Sequence, residues 1–511
     1  MKFSDFKKEA KSWLSRPESL ILLAILIFAL GIRFYYYPLT SSQGLWWDES
    51  EYLSTAYTWS GLYNWWQPLA LRPPLLPWIM TLLTYFGVGE SGTRILVFIM
   101  SFASIYFTYL VGKTFYTKEV GLASASLLAI FWSFLFYSFR ILTDVPVAML
   151  WLSTIYLFFS AYYGKEEKWR YIFGGISLGL AFLMKFSTFA LIGAIILHIL
   201  LTERLNLLKW NQSTKGILLF FVASLIVVSP FLIWQQTKFG NPLAFVADAT
   251  GGGETPHTFW ESLRDQTFFS LQVLRSAIVL FFLAGLIFIL GSLVLRYDYI
   301  FKKGSNTNKS LFILIWLAAA LLFFGKLNYG AYMDERYYFV LHPAILIVAS
   351  TFLILIYNTV KKYNKLLALL IIVAIVVFAG YQNLTQADQI IKNKAESFKQ
   401  IRFAGQWIKE NSNPEDFILV TDESASYFVF SQRYLETVAN TTYLNEMIEK
   451  KKPKYIVMSF YYAGNLNNQE FIDMANYVFS NQQNFTLIRV FEPYIDSERK
   501  VPVVSIFRVN Y

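Results

Sequence analysis

Seven residues, Trp46-Trp47-Asp48-Glu49-Ser50-Glu51-Tyr52, place three carboxylates within four positions. An ionised carboxylate can take a proton from an attacking hydroxyl. Such a cluster is therefore either a wet surface loop or the base of an active site. Other ionisable residues stand alone among apolar neighbours. Arg140 and Asp144 bracket the turn Ser138-Phe-Arg-Ile-Leu-Thr-Asp-Val-Pro146, and Lys185 is the only charge between Tyr171 and Leu201. Arg72 directly precedes Pro73-Pro74, and Asp334-Glu335-Arg336 follows a long apolar run. Ionisable groups in such surroundings are costly unless they pair or face a cavity. Isolated cations beside carboxylates suit an anionic substrate, because cations can hold a phosphate.

The elements that must position these residues are membrane helices. Of the 511 residues, 56% are hydrophobic, 19% aromatic and only 15% charged, which is too apolar for a soluble chain of this size. Eleven stretches read as spans, at roughly 18–38, 94–113, 119–138, 142–163, 169–184, 187–203, 216–236, 272–295, 310–326, 337–359 and 364–382. Basic residues then alternate between loops. Lys7, Lys8, Lys113, Lys118, Lys165, Lys168, Lys302, Lys303, Lys361 and Lys362 fall on one side, which the positive-inside rule makes cytoplasmic. The opposite side keeps single cations and every candidate named above. The net charge of +10 is therefore spread over short loops, which argues against a nucleic-acid surface. With no cysteine, thiol chemistry and disulfides are excluded, and three histidines (His198, His257, His342) make a histidine-rich metal site an unfavoured reading. The first apolar run lacks a small-residue cleavage site and reads as a retained anchor.

Two regions depart from the span pattern. The stretch 73–88 is short and opens on two prolines, so it reads as a helix on or dipping into the outer face. From about 384 onward, short apolar runs (417–421, 455–460, 485–491, 501–509) alternate with amphipathic stretches (397–411, 469–481), the pattern of a small α/β domain. The expected organisation is a membrane domain over 1–383, with its first outer loop at 39–93, and an extracytoplasmic domain over 384–511. Asn383, Asn440 and Asn484 each begin an Asn-x-Thr triplet that this topology places outside.

Each candidate also has a plain structural reading. The acids of 48–51 suit a solvated loop, and Trp46-Trp47 an interface anchor. Arg140 and Asp144, four apart, suit a helix-end ion pair. Lys185 could extend to lipid headgroups, and 334–336 could be an exposed turn. The functional reading rests on five separate segments bringing ionisable groups to one face.

The order of these motifs resembles the GT-C type membrane glycosyltransferases, closest to the protein O-mannosyltransferase and aminoarabinose-transferase-like group (glycosyltransferase family 39-like). The resemblance covers about residues 20–345. Its pieces are Asp48-Glu49 with Tyr52 and Ala56 after the first span, then Arg72-Pro73-Pro74-Leu75 and the Ser138–Pro146 turn. Gly179-Leu-Ala-Phe-Leu-Met-Lys185 and Arg336-Tyr-Tyr-Phe-Val-Leu-His-Pro343 complete the series. Arg72 stands where that family more often has His or Lys. The Trp-Trp-Asp-Tyr-Gly signature of oligosaccharyltransferases is absent from the C-terminal segment, which argues against transfer of a whole oligosaccharide.

The resemblance implies a GT-C fold of about eleven membrane helices, thirteen at most, in the cell membrane with a cytoplasmic N-terminus. It implies transfer of a sugar from a dolichyl or undecaprenyl phosphate to an acceptor hydroxyl on a protein, lipid or lipid-linked glycan, with inversion. Asp48 would be the general base, with Glu49 and Asp144 orienting the acceptor or a metal. Arg140, Lys185, Arg336 and Arg72 would hold the donor phosphate. Several carboxylates near that phosphate permit Mg, Mn or Ca through Asp48, Glu49 and Asp144, while the cations on the phosphate side favour a reaction with no obligatory metal. A transporter or flippase of lipid-linked or anionic substrates is the principal rival. It would carry internal repeats and midplane charges, which this sequence lacks. A receptor or scaffold is a further alternative.

Overall fold

A computed structural model describes residues 12, 14–62, 71–204, 207, 209–246, 258–327, 333–422, 424–461, 468–492 and 503–511. His257 lies outside these residues. The described part divides into two compact units. One falls within Met1–Tyr36, Leu71–Leu75 and Ile95–Gln389, and the other within Tyr37–Ala70, Leu76–Arg94 and Ile390–Tyr511.

The helices in chain order are α1 (Pro17–Thr40), α2 (Trp47–Trp59), α3 (Leu75–Tyr85), α4 (Gly89–Phe115), α5 (Lys118–Ile130), α6 (Trp132–Tyr137) and α7 (Asp144–Tyr162). There follow α8 (Lys168–Met184), α9 (Thr188–Glu203), α10 (Gln212–Phe239), α11 (Phe259–Val273), α12 (Ser276–Leu295), α13 (Asn306–Leu327), α14 (His342–Val360) and α15 (Lys365–Lys394). Every predicted span coincides with helix. Among the described residues eight helices (α1, α4, α7, α10 and α12–α15) are long and apolar enough to cross a bilayer. The other three spans are shorter or broken. At ~1.5 Å per residue, the 17 residues of α8 and 16 of α9 fall short of the ~30 Å hydrocarbon thickness.

The break between α5 and α6 has a local cause. Phe131 leaves helical geometry (ψ 119°), which frees the Trp132 backbone N–H from the helical ladder. A freed N–H in an apolar interior must find an acceptor. It donates to the Asn383 side chain at 3.3 Å, while the Trp132 indole donates to the Val273 carbonyl at 2.8 Å. Asn383 is fully buried in α15 and also donates to the Ala379 carbonyl. This corrects the reading of Asn383 as an outward sequon: its amide is a structural partner inside the helix packing. α15 continues past residue 383 to Lys394.

Small residues set a close helix contact between α8 and α10. A Cβ on Gly175 of α8 would sit 2.1 Å from the Phe220 carbonyl of α10, and one on Gly179 would sit 2.7 Å from Val227. This small-xxx-small stripe lets the two backbones meet, as membrane helices require in the absence of a hydrophobic drive.

The second unit contains α2, α3 and a C-terminal α/β fold. Its elements are α16 (Lys399–Asn411), β1 (Phe417–Val420), α17 (Ser424–Ser431), β2 (Tyr434–Thr437), α18 (Thr441–Lys451), β3 (Tyr455–Ser459), α19 (Gln469–Ser480), β4 (Phe485–Phe491) and β5 (Val504–Val509). The sheet order is β2-β1-β3-β5-β4, with β1 parallel to β2 and β3, and β5 antiparallel to β3 and β4. Each face buries one apolar layer, as a three-layer fold demands. One layer holds Ile401 and Ile408 of α16 with Tyr427 and Phe428 of α17. The other holds Met447 of α18 with Phe471 and Met474 of α19.

Candidate active site

In the first unit, α6 ends at Tyr137 and α7 begins at Asp144, so residues 138–143 form the predicted tight turn. Arg140 lies within it and is 1% exposed. Asp144, buried in the first turn of α7, does not pair with Arg140 four residues earlier. Its carboxylate takes the ammonium of Lys185. Lys185 directly follows α8 in an extended conformation, and its backbone N–H donates to the Ala181 carbonyl at 3.0 Å. The chain then reverses into α9. The ion pair therefore ties the start of α7 to the tip of the α8–α9 hairpin.

A third segment completes the cluster. A 3-10 helix, Glu335–Val340, precedes α14. The Lys185 ammonium lies 4.8 Å from the Tyr337 ring centroid and the Arg336 guanidinium 5.3 Å from the same centroid, so one aromatic ring serves two cations. Arg336 pairs with Asp334 at 3.1 Å, and the Asp334 carboxylate also accepts the Arg336 backbone N–H at 3.0 Å. The Tyr137 hydroxyl donates to Asp334 at 3.0 Å, with Glu335 at 3.4 Å from the same oxygen. Burial pushes the Glu335 carboxyl above the usual range, and the neighbouring Asp334 charge adds to the rise. Residues 334–336 are thus a half-buried, hydrogen-bonded hub instead of an exposed turn.

Arg72 belongs to the same unit. Leu71 and Leu75, on either side of it, pack against a cluster containing Phe182, Leu183 and Phe186, the residues that flank Lys185. Asp144, Lys185 and Arg336 are therefore brought into one network, and Arg72 is anchored beside the Lys185 hairpin. Tyr137 and Tyr337 were not legible as members. Tyr337 carried one signal, its place directly after the motif arginine.

Asp48 and Glu49 belong to the second unit. Both lie in the first turn of α2, where acids complement the helix dipole. Asp48 is half-buried and Glu49 fully buried. The Glu49 carboxylate accepts the Trp46 backbone N–H at 2.6 Å, so one of its oxygens closes the helix start. Glu51, which the solvated-loop reading of 48–51 would expose, is only 8% exposed. The correction has a plain cause: α2 buries everything from Glu49 to Ala56, and Ser50 and Ser54 meet Ser426 and the Ala425 carbonyl of α17 at 3.2 and 3.5 Å. Trp47 is 48% exposed, in keeping with an anchor.

Among the described residues no group of three or more His, Asp or Glu side chains gathers as a metal cage would require. Asp144 is engaged by Lys185 and Asp334 by Arg336, so two acids at this end are already bonded to cations.

With that geometry in place, the relatives are informative. Residues 71–234 match the family model described as Dolichyl-phosphate-mannose-protein mannosyltransferase. That stretch carries Arg72, Arg140, Asp144 and Lys185; Asp48, Glu49 and Arg336 lie outside it. ArnT from Cupriavidus metallidurans in its apo state is 13% identical, with a TM-score of 0.62 and coverage of 98% of each chain. The same protein bound to undecaprenyl phosphate gives 12% and 0.63, covering 95% of this chain and 97% of that one. The oligosaccharyltransferase of Archaeoglobus fulgidus in its apo form gives 14% and 0.66, covering 91% and 72%. No curated protein matches the chain by sequence. The protein is a multi-pass membrane protein. Its fold is that of the GT-C membrane glycosyltransferases, with a C-terminal α/β region after the membrane helices.

Proposed function

We propose that this protein transfers a sugar from a polyprenyl-phosphate donor to an acceptor hydroxyl, on the extracytoplasmic face of the cell membrane and with inversion at the anomeric carbon. The observation that carries the reading is the joining of Asp144, Lys185 and Arg336 around Tyr337, at the tip of a hairpin too short to cross a bilayer. A cationic cluster at such a position suits a lipid phosphate at the membrane surface. The matches to a dolichyl-phosphate-mannose family model and to a structure holding undecaprenyl phosphate support the same donor class.

In this reading Lys185, Arg336 and Arg140 receive the phosphate, with Arg72 beside the hairpin as a further cation. They stabilise the charge that grows on it as the glycosidic bond breaks. Asp144 holds Lys185 in place, which replaces the acceptor-orienting role expected from sequence. Asp48 takes the proton from the acceptor hydroxyl as that oxygen attacks the anomeric carbon from the face opposite the phosphate. The carbon–phosphate oxygen bond breaks and the polyprenyl phosphate leaves with its electron pair. Glu49 fixes the turn of α2 on which Asp48 stands.

The test is to incubate purified protein with a panel of radiolabelled polyprenyl-phosphate sugars and a membrane extract, and to measure released polyprenyl phosphate. Wild type should release it from at least one donor, and Asp48→Asn should not, although it expresses and melts normally. Near-normal release by Asp48→Asn would remove Asp48 as the base. Movement of intact donor across vesicles without cleavage would favour a flippase.

A further inference from the structure

The approach to Asp48 is gripped by residues far away in sequence. Gln43 is fully buried; its side-chain amide donates to the Lys394 carbonyl at 3.0 Å. Its own carbonyl accepts from two guanidinium groups, Arg94 at 3.2 Å and Arg402 at 3.0 Å. The same two arginines share one carboxylate oxygen of Glu90, at 3.1 and 2.5 Å. Arg402 also lies 4.6 Å over the Phe430 ring. The next residue, Gly44, is pressed so tightly on the chain that a Cβ there would sit 2.3 Å from the Phe398 carbonyl oxygen. Leu45 is buried, and the Trp46 N–H is held by Glu49. Residues 43–46 are thus held by hydrogen bonds at Gln43 and Trp46, with Gly44 and Leu45 packed between them, up to the turn that carries Asp48.

Two of the groups that grip this segment, Arg402 and Phe398, come from the C-terminal α/β region. We propose that Arg402 is a positioning residue for the reaction. Through the Gln43 carbonyl and Glu90 it sets the start of α2 and so aims the Asp48 carboxylate, which makes the α/β region part of the catalytic apparatus. The inference rests on the reading of Asp48 as the base. Arginine suits the position because its Nη2 donates to both a carbonyl and a carboxylate while the flat guanidinium lies over the Phe430 ring, a stacking that a lysine ammonium does not reproduce. Loss of this grip would leave the carboxylate chemically intact but misplaced, and displacement of about 1 Å can cost on the order of 10²-fold in rate.

The experiment uses the full-length protein in detergent and compares Arg402→Ala, Arg402→Lys and Arg433→Ala. Arg433 is a buried guanidinium in the same unit whose hydrogen bonds go to Lys409, Ser412, Ser431 and Gln432. Arg402→Ala should lower kcat on the order of 10²-fold with donor KM unchanged, and Arg402→Lys should restore part of it. Amide hydrogen exchange across 43–50 should rise in Arg402→Ala. Arg433→Ala should lower the melting temperature yet keep kcat per folded molecule and leave exchange across 43–50 as in wild type. Wild-type kcat in Arg402→Ala, an equal kcat loss in Arg433→Ala, or unchanged exchange across 43–50 would overturn the proposal. An inactive Asp48→Asn beside a fully active Arg402→Ala would defeat the positioning role alone. An active Asp48→Asn would defeat the base, and the positioning role with it.

Discussion

At one end of α8, Lys303 bonds Glu166 at 3.1 Å, Glu203 at 3.2 Å and the Ser213 hydroxyl at 2.8 Å, over the Tyr162 ring at 4.1 Å. At the other end, Lys185 pairs with the single carboxylate of Asp144, and its aromatic neighbour Tyr337 is shared with Arg336. The ingredients match: a lysine, acids and a tyrosine ring. The balance differs. Lys303 spends all three of its donors on protein groups and faces more negative charge than it carries, so it closes three loops into a knot. The Lys185 end carries four cations, Arg72, Arg140, Lys185 and Arg336. Its acids are Asp144, Asp334 and a Glu335 that burial disposes towards protonation. Such a grouping of cations suits the anionic donor proposed above.

Substitutions should separate the two ends. Lys185→Met should reduce transfer per folded molecule by roughly 10²–10³-fold, the cost of losing one preorganised charge partner in a transition state, beyond the drop in melting that leaving the buried Asp144 unpaired also brings; assay of donor cleavage per folded molecule beside a thermal melt tests this. Lys303→Met should affect stability alone. It leaves Glu166 and the buried Glu203 uncompensated, so about 2–3 kcal/mol of stability should be lost while kcat per folded molecule stays near wild type. If Lys303→Met were inactive yet fully stable, the contrast between the ends would fail.

A smaller effect sharpens the view that Asp144 serves Lys185. Asp144→Asn should lower kcat about 10-fold, the worth of one charge-assisted hydrogen bond, and adding it to Lys185→Met should cost little more. Additive losses would mean that Asp144 acts on its own.

The smallest effect lies in the α/β region. Asp416 pairs with Lys454 at 2.7 Å. Burial pushes its carboxyl up, but Lys454 and the Asn413 N–H outweigh this and hold it below the usual range. A depressed carboxylate adds stability above its unfolded pKa, and that stability is lost as pH falls through its folded value. Asp416→Asn should therefore lower stability by under about 1 kcal/mol at neutral pH, given the partly exposed pair. Melts of the two proteins should converge in acid.

The eight long apolar helices among the described residues could be read from composition because the bilayer allows few solutions: about 20 apolar residues with internally satisfied hydrogen bonds. The strands β1, β3, β4 and β5 were legible as short apolar runs. β2, α17 and α18 were not, since their burial comes from neighbours along the sheet and not from a local period. The candidate residues stood out for a similar reason, a charge isolated among apolar residues being conspicuous. What each one bonds was invisible. Arg140 and Asp144 have helical ion-pair spacing, yet the non-helical turn 138–143 and a reversal after Lys185 send Asp144 to a lysine 41 positions on. Asn383 and Glu51 look solvent-facing by motif and charge, and both are buried because distant helices lie over them.

The sequence by itself determined which segments are apolar enough to enter a membrane and which ionisable residues must find partners, because burial of charge is a local cost. Only the tertiary structure decided the partners. Helix breaks, hairpin tips and the grip of Arg402 on Gln43 join positions tens to hundreds of residues apart, and no local period records such pairings.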